Sequence, residues 1–322
     1  MSLPLLQPTP ASPVRADGSF ASGSFRGALG DVDYTCVSSP WQRLRREKRW
    51  LWYCIAQDPW LVAFAIVRTG YVANCFAFVQ NMNERSFSAH ATRLGAPGNA
   101  QVVRRSYETH ADFTLGGASV LSAHAVQQAW SIHADLGAVQ LDAECTHDAA
   151  PLVAIAKVPD GTVNATEKGV GSVLRGSLRV PGHTIDLAGA VSGYDFTHGL
   201  LGRRTVWRWA FGLGKNRDGK PIGVNLVSGF VGPAECVMLG PAGPTPLEEP
   251  SFQFDATDYQ KPWRLHGDAI DLRADVKGMH TDNKRLLLVR SDFVQAAAVL
   301  HGSVRGNDVR LLGVVEDQDI VW

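Results

Sequence analysis

The chain lacks an excess of charge of either sign: Lys plus Arg number 31, and so do Asp plus Glu. That balance excludes the broad basic footprint of a nucleic-acid binder and leaves no acidic tail. Long apolar runs are missing as well. The most apolar stretch, 50–79, is interrupted by Asp58-Pro59, Arg68 and Gly70, and so falls short of the roughly 18 unbroken apolar residues of a spanning helix. No integral membrane segment is expected. Cysteine is sparse and badly spaced for chemistry: Cys36, Cys54, Cys75, Cys145 and Cys236 contain no C-x-x-C pair. This argues against a zinc ribbon or a redox motif and suits reduced, buried thiols in a cytoplasmic protein. Residues 1–28 carry no basic segment followed by an apolar core, and Pro4, Pro8, Pro10 and Pro13 break any helix there. They read as a flexible leader.

Signature motifs are absent too. There is no G-x-x-x-x-G-K-[ST], Gly169-Val170-Gly171 lacks the third glycine of a dinucleotide fingerprint, and no G-x-S-x-G elbow occurs. No cofactor is expected. Ten histidines form no H-E-x-x-H; His124 with His133, or His110 with Asp112, can meet in space, but any all-β chain offers such pairs, and no metal site is assigned. Asn164-Ala165-Thr166 fits a glycosylation sequon and is taken as chance without a secretory signal.

What is present is strand. Residues 49–56, 61–68 and 71–80 are aromatic- and β-branched-rich runs cut by Asp58-Pro59 and Thr69-Gly70, with both faces largely apolar. Such strands suit a closed barrel or sandwich in which one face meets an interior and the other a second layer. Residues 82–99 read as a polar loop with a short helix. The Gly- and Pro-punctuated passage 151–176 marks a boundary between halves, giving units at 29–176 and 177–322. Near the end, Ile270, Leu272, Ala274 and Val276 alternate with Asp271, Arg273 and Asp275, a strand with one wet face. No repeat of fixed 40–50-residue period appears, which disfavours a propeller. About twenty strands and no long helix place the chain in the all-β class. The basic run Arg43, Arg45, Arg46, Lys48, Arg49 reads first as a solvated face, with a peripheral membrane or acidic-ligand contact as the alternative.

The stretch 190–231 concentrates the unusual chemistry. In the strand 203–211, period-2 alternation puts Thr205, Trp207, Trp209 and Phe211 on one face and Arg204, Val206, Arg208 and Ala210 on the other. Asn216-Arg217-Asp218-Gly219 supplies a hairpin turn. Around it stands a polar set: Asp195, His198, Arg203, Arg204, Arg208, Glu235, Glu316 and Asp317. An arginine among tryptophans must reach water or meet a carboxylate, because burying it unpaired costs several kcal/mol. The plain reading is a structural salt bridge at a barrel mouth. The functional reading is a carboxyl, Asp195 or Glu316, held protonated by an apolar pocket and donating its proton to a double bond or carbonyl, with His198 as partner and tryptophans stabilising positive charge.

Several blocks together resemble the bacterial family called domain of unknown function 2804: Gly30-Asp31, Tyr34-Thr35, Pro40-Trp41-Gln42, Lys48-Arg49-Trp50, Gly70-Tyr71, Asp195-Phe196-Thr197-His198-Gly199-Leu200-Leu201, Arg203-Arg204-Thr205, Trp207-Arg208-Trp209-Ala210 and Gly313-Val314-Val315-Glu316-Asp317. The likeness runs from about Gly30 to Trp322. A histidine often follows the terminal Glu-Asp in that pattern; Gln318 stands here, which weakens any scheme relying on that histidine. More remotely the family is similar to two-part lipocalin-like proteins, among them carotenoid hydratases, tocopherol cyclases and Diels–Alderases. The resemblance implies two calycin-like antiparallel β-barrels or sandwiches packed together around a hydrophobic ligand, isoprenoid or fatty acyl in kind, inside a barrel mouth.

The expected function is therefore binding of a hydrophobic small molecule, with cofactor-independent hydration, cyclisation or isomerisation by acid catalysis. Asp195, His198 and Glu316 are the candidate catalytic groups, and Tyr194, Arg204, Trp207, Arg208, Trp209 and Asp317 the candidate ligand contacts. Two alternatives stand beside it. One is a non-catalytic hydrophobic-ligand carrier with the same pocket. The other is a carbohydrate-active β-sandwich, suggested by Trp41, Trp60 and Trp263.

Overall fold

The computed structural model describes residues 6–281, 283–285 and 290–322. It is almost entirely β, in two large sheets whose neighbouring strands run antiparallel except for the short pair Gln7–Pro8 and Gly23–Arg26. The main path of the first sheet runs in spatial order Ala89–Gly95, Ala73–Asn81, Trp60–Thr69, Glu47–Gln57, Val191–Leu200, Val163–Val180, Gln140–Thr146, Ala129–Asp135, Ala118–Val126, Glu108–Leu115, Ala100–Arg105. It curls into a near-closed barrel: Ala100–Arg105 comes back against Trp60–Thr69 and Glu47–Gln57. The second sheet, a half-barrel, runs Thr245–Pro246, Val237–Leu239, Pro221–Ser228, Arg204–Lys215, Asn307–Val321, Arg290–Val304, Ile270–Thr281, Trp263–His266, Ser251–Gln253.

The doubly apolar strands 47–81 have the physical cause their pattern implied. Leu51, Tyr53, Ile55, Phe64, Ile66 and Val79 point into the first barrel. Their alternates Trp52, Cys54, Ala56, Ala63, Ala65 and Phe78 pack instead against Trp209, Phe211, Leu213 and Leu226 of the second sheet. Each strand therefore serves two cores at once, and the apolar run is the sum of two period-2 patterns. The barrel interior is filled by Tyr53, Phe64, Phe113, Trp130 and Tyr194, together with the ion pair of Arg104 and Glu167.

Several expectations need correction. The stretch 40–46 forms a short helix, Pro40–Arg46, started by a capping box in which Ser39 Oγ accepts from the Gln42 amide and Gln42 accepts from the Ser39 amide. Trp41 and Leu44 are exposed on it beside Arg43, Arg45 and Arg46. Within 82–99 lies a strand, Ala89–Gly95, rather than a loop with a helix; only Pro97–Asn99 is helical, as a 3₁₀ turn. Residues 7–26, read as part of a leader, include the strand Gly23–Arg26 paired with Leu152–Ala156; proline forbids helix but not an edge strand. Positions 176 and 177 both fall inside the strand Val163–Val180, and the chain passes from the first sheet to the second at 201–203. The glycines there serve close packing: a Cβ on Gly169 would lie 2.4 Å from the Tyr194 ring, and one on Gly171 2.0 Å from the Thr146 carbonyl. Trp263 is core, 1 % exposed and stacked on Phe254, and Trp60 packs on His183, so of the three carbohydrate-suggesting tryptophans Trp41 alone is exposed. Among the described residues no helix is long and apolar enough to cross a membrane. Four of the five cysteines are buried, Cys36 being the exception.

Candidate functional site

Between the outer wall of the barrel and the half-barrel lies a cavity whose lining follows from strand register. On the barrel side, Trp52, Asp195 and Lys168 are cross-strand partners in one row, and Trp50, Thr197 and Thr166 in the next. On the half-barrel side, Trp209 pairs with Glu316 and Trp207 with Gln318, while Gln295 and Phe293 oppose the same two residues from the other flank. Because faces alternate along a strand, these rows place aromatic rings and a few polar groups on the two facing surfaces. The Trp52 ring meets the Trp209 ring edge-on at 4.9 Å, and Trp50 lies 5.9 Å from Trp207. Partly exposed Trp50, Val67, Trp207, Phe230, Phe293 and Trp322 form the rim. The space lies outside the near-closed barrel, where the resemblance had implied a ligand, because that interior is already occupied by side chains.

Two polar clusters face this space. In the first, Lys168 Nζ is 2.5 Å from Asp195 Oδ1 and 3.1 Å from Glu235 Oε2. Thr166 Oγ1 donates to Asp195 at 3.1 Å, and Asn164 Nδ2 to Glu235 at 3.0 Å. Burial depresses the Lys168 ammonium, but the two carboxylates outweigh it and hold its pKa above the usual lysine value. In the second, Glu316 accepts from Trp207 Nε1 at 2.5 Å and from Gln295 Nε2 at 2.6 Å; Gln295 Oε1 in turn accepts from Trp52 Nε1 at 3.2 Å. Burial raises the Glu316 carboxyl, the two donors lower it, and the negative charges of Asp195 and Asp317 raise it again, leaving it at about 7. Charge counting says the same. Three carboxyls, Asp195, Glu235 and Glu316, share one ammonium, Lys168, so full ionisation would leave two uncompensated negative charges in an apolar space; burial accordingly raises Glu316, which has no cation, and also Glu235, despite the neighbouring Lys168.

The sequence-selected residues divide by strand parity. Asp195, Glu316, Trp207 and Trp209 line the cavity. His198 sits on the opposite face of the Asp195 strand, where its Nε2 meets Glu47 Oε1 at 2.6 Å and its ring abuts Tyr34. Burial pushes it down to about 4, so it is neutral there. Tyr194, on that same inner face, is buried in the barrel with its hydroxyl donating to Glu167. Arg204 and Arg208 pair with Asp319 and Asp317 on the outer face of the half-barrel, and Tyr259 also donates to Asp317 at 2.8 Å. None of these five lines the cavity.

Lys168, Gln295, Asn164 and Gln318 escaped selection. Lys168 carried one usable signal: an isolated charge in the run 165–173, next to Glu167, which points the other way to Arg104. Gln295 and Asn164 carried none, being neutral residues in ordinary strands. Asn164, the sequon residue, is 1 % exposed. Two buried polar atoms on the lining have no partner among the described residues, Gln318 Nε2 and Asn164 Oδ1, one a donor and one an acceptor.

Solved structures with the same architecture include kievitone hydratase from Nectria haematococca, at 12 % identity and a TM-score of 0.52 over 94 % of this chain and 98 % of that one. A putative AttH from Nitrosomonas europaea matches at 10 % identity and TM-score 0.53, over 84 % of this chain and 92 % of that one. CghA with Sch210972 matches at 8 % and 0.51, over 86 % and 88 %. At these identities the likeness is one of fold. No curated protein matches the sequence. Residues 8–322 match the family described as Domain of unknown function (DUF2804), and the chain belongs to that family.

Proposed function

We propose that the cavity between the sheets binds a hydrophobic small molecule bearing a polar group, and that Glu316 adds a proton to it as a general acid. The observation that carries this reading is a buried carboxyl with no cationic partner, set among indole rings and titrating near neutrality. A general acid works best when its pKa lies near the working pH. Trp207 and Gln295 take one lone pair on each Glu316 oxygen, so the acid proton occupies a remaining lone-pair position. In a hydration, Glu316 transfers its proton to one alkene carbon and water attacks the other. Asp195, whose Oδ1 lies 2.5 Å from Lys168 Nζ, accepts the proton that the water loses. Indole faces stabilise the cationic carbon between the two steps. The unpartnered Gln318 amide and Asn164 carbonyl are a donor and an acceptor for the ligand's polar group. A structural neighbour that is a hydratase by name supports this class of chemistry on this architecture.

The carrier reading draws on a separate observation: Lys168, Asp195 and Glu235 already satisfy one another, as a purely structural network does. Mass spectrometry of untagged wild-type protein identifies the co-purifying hydrophobic molecule. Incubation of that molecule's alkene form with wild type and Glu316→Gln in ¹⁸O-water then separates the readings. Acid catalysis expects ¹⁸O uptake by wild type and its loss in the variant. Equal uptake by both removes Glu316 as the acid, and ligand binding without turnover in wild type establishes the carrier.

A further inference from the structure

A second cluster lies on the opposite part of the barrel. In the strand Glu108–Leu115, Thr109, Ala111 and Phe113 are buried, so His110 and Asp112 must face outward. In the adjacent strand Ala118–Val126, Leu121, Ala123 and Ala125 are buried, and His124 faces outward. Register completes the arrangement: His110 is the direct cross-strand partner of His124, and Asp112 that of Ser122. Two residues spaced i, i+2 on one strand and a third on its neighbour thus converge at one point of the wall.

The atoms converge as well. His110 Nε2 is 2.8 Å and His124 Nε2 2.7 Å from the same oxygen, Asp112 Oδ2. The two imidazole rings stack with centroids 4.5 Å apart and planes 7° from parallel. One ligand atom from each residue lies within 4.8 Å of the others, the sole such grouping of three His, Cys, Asp or Glu among the described residues. Ser119 Oγ donates to Asp112 Oδ1 at 3.2 Å, fixing the carboxylate so that Oδ2 turns to the imidazoles, as an outer-shell partner does around a metal ligand. Zinc takes histidine nitrogen and carboxylate oxygen at about 2.0–2.2 Å, which puts ligand atoms about 3.3 Å apart in a tetrahedron. The Nε2–Oδ2 contacts of 2.8 and 2.7 Å must therefore open, and the stacked rings tilt toward each other, for the three atoms to take up an ion.

We propose that His110, Asp112 and His124 form a binding site for a divalent ion of the zinc class. Imidazole with carboxylate suits borderline ions such as Zn²⁺ and Co²⁺ over Mg²⁺ or Ca²⁺, which favour all-oxygen shells. Binding releases the proton from any Nε2 that carries one, and the three protein ligands leave a fourth position to water. None of the three residues lines the cavity between the sheets. The ion therefore clasps two strands across the Gly116-Gly117 turn and stands apart from the proposed acid chemistry. His133 with Asp142, 2.7 Å apart on the same wall, offers only two ligands and serves as an internal control.

Co²⁺ titration of untagged, chelator-treated full-length protein tests the site by visible absorption. The expected result is saturation at one equivalent, displacement by Zn²⁺, and a rise in thermal midpoint with metal. Affinity falls roughly tenfold or more in His124→Ala and in Asp112→Asn, and is unchanged in His133→Ala. Midpoints measured in chelator establish that each variant is folded, and His110→Gln is the substitute should one of them not be. Absence of saturable binding by wild type overturns the proposal, as does undiminished binding in folded His124→Ala and His110→Gln.

Discussion

Replacing Glu316 by glutamine should abolish the pH dependence that this one side chain imposes on stability. The folded protein holds the Glu316 carboxyl at about 7, against an ordinary value of 4.5. Between those two pH values the folded state binds a proton that the unfolded state has lost. Stability therefore falls as pH rises through this window, the opposite of an ion-paired carboxylate. The difference of about 2.5 in pKa, at 1.36 kcal/mol for each, amounts to about 3.4 kcal/mol, of which about three quarters is retained at pH 5 and almost none at pH 8. Glutamine adds a pH-independent penalty, because its amide N–H₂ must face either the Trp207 or the Gln295 donor now directed at Glu316, costing about 1–3 kcal/mol. The informative quantity is consequently the stability of the variant minus that of wild type, followed with pH by urea unfolding, so that other titrating groups cancel. That difference should shift in favour of the variant by about 2.5 kcal/mol between pH 5 and pH 8. A difference that stays flat would show Glu316 ionised throughout, and the general-acid proposal would lose its foundation.

Other expectations follow from the same geometry. Lys168→Met leaves Asp195 and Glu235 buried without their shared cation and should cost about 3–5 kcal/mol in urea unfolding at neutral pH; a loss below about 1 kcal/mol would mean that one of those carboxyls is neutral in wild type. His198 is held down at about 4, so its contribution is complete above 6.5 and disappears as pH falls toward 4. His198→Gln should therefore flatten the acid limb of stability by up to about 3 kcal/mol without altering ligand binding, and weakened ligand binding would bring His198 back toward the site. Gly169→Ala drives a methyl group into the Tyr194 ring, which cannot move aside while its hydroxyl is held by Glu167 and Arg104. A cost of about 1–3 kcal/mol is expected from such overpacking, and an unchanged unfolding midpoint would contradict it.

The sequence by itself determined the class, the two-layer use of the central strands, and which side chains share a face. Alternation along 203–211 placed Trp207 and Trp209 together and turned Arg204 and Arg208 away from them, as the strand Arg204–Lys215 does. The same rule, applied along 194–198, separates Asp195 from Tyr194 and His198, whose short distance in sequence had suggested partnership. What periodicity cannot supply is register between strands far apart in the chain. Only the tertiary structure set Lys168 beside Asp195, Gln295 beside Glu316, and His110 opposite His124. Nor does sequence tell which of two apolar faces closes on a filled interior and which leaves space. Period 2 fixes side, a local property of one strand; neighbours across a sheet, and the cavity between sheets, depend on how strands pair and how two layers pack, and both are settled by the whole chain at once.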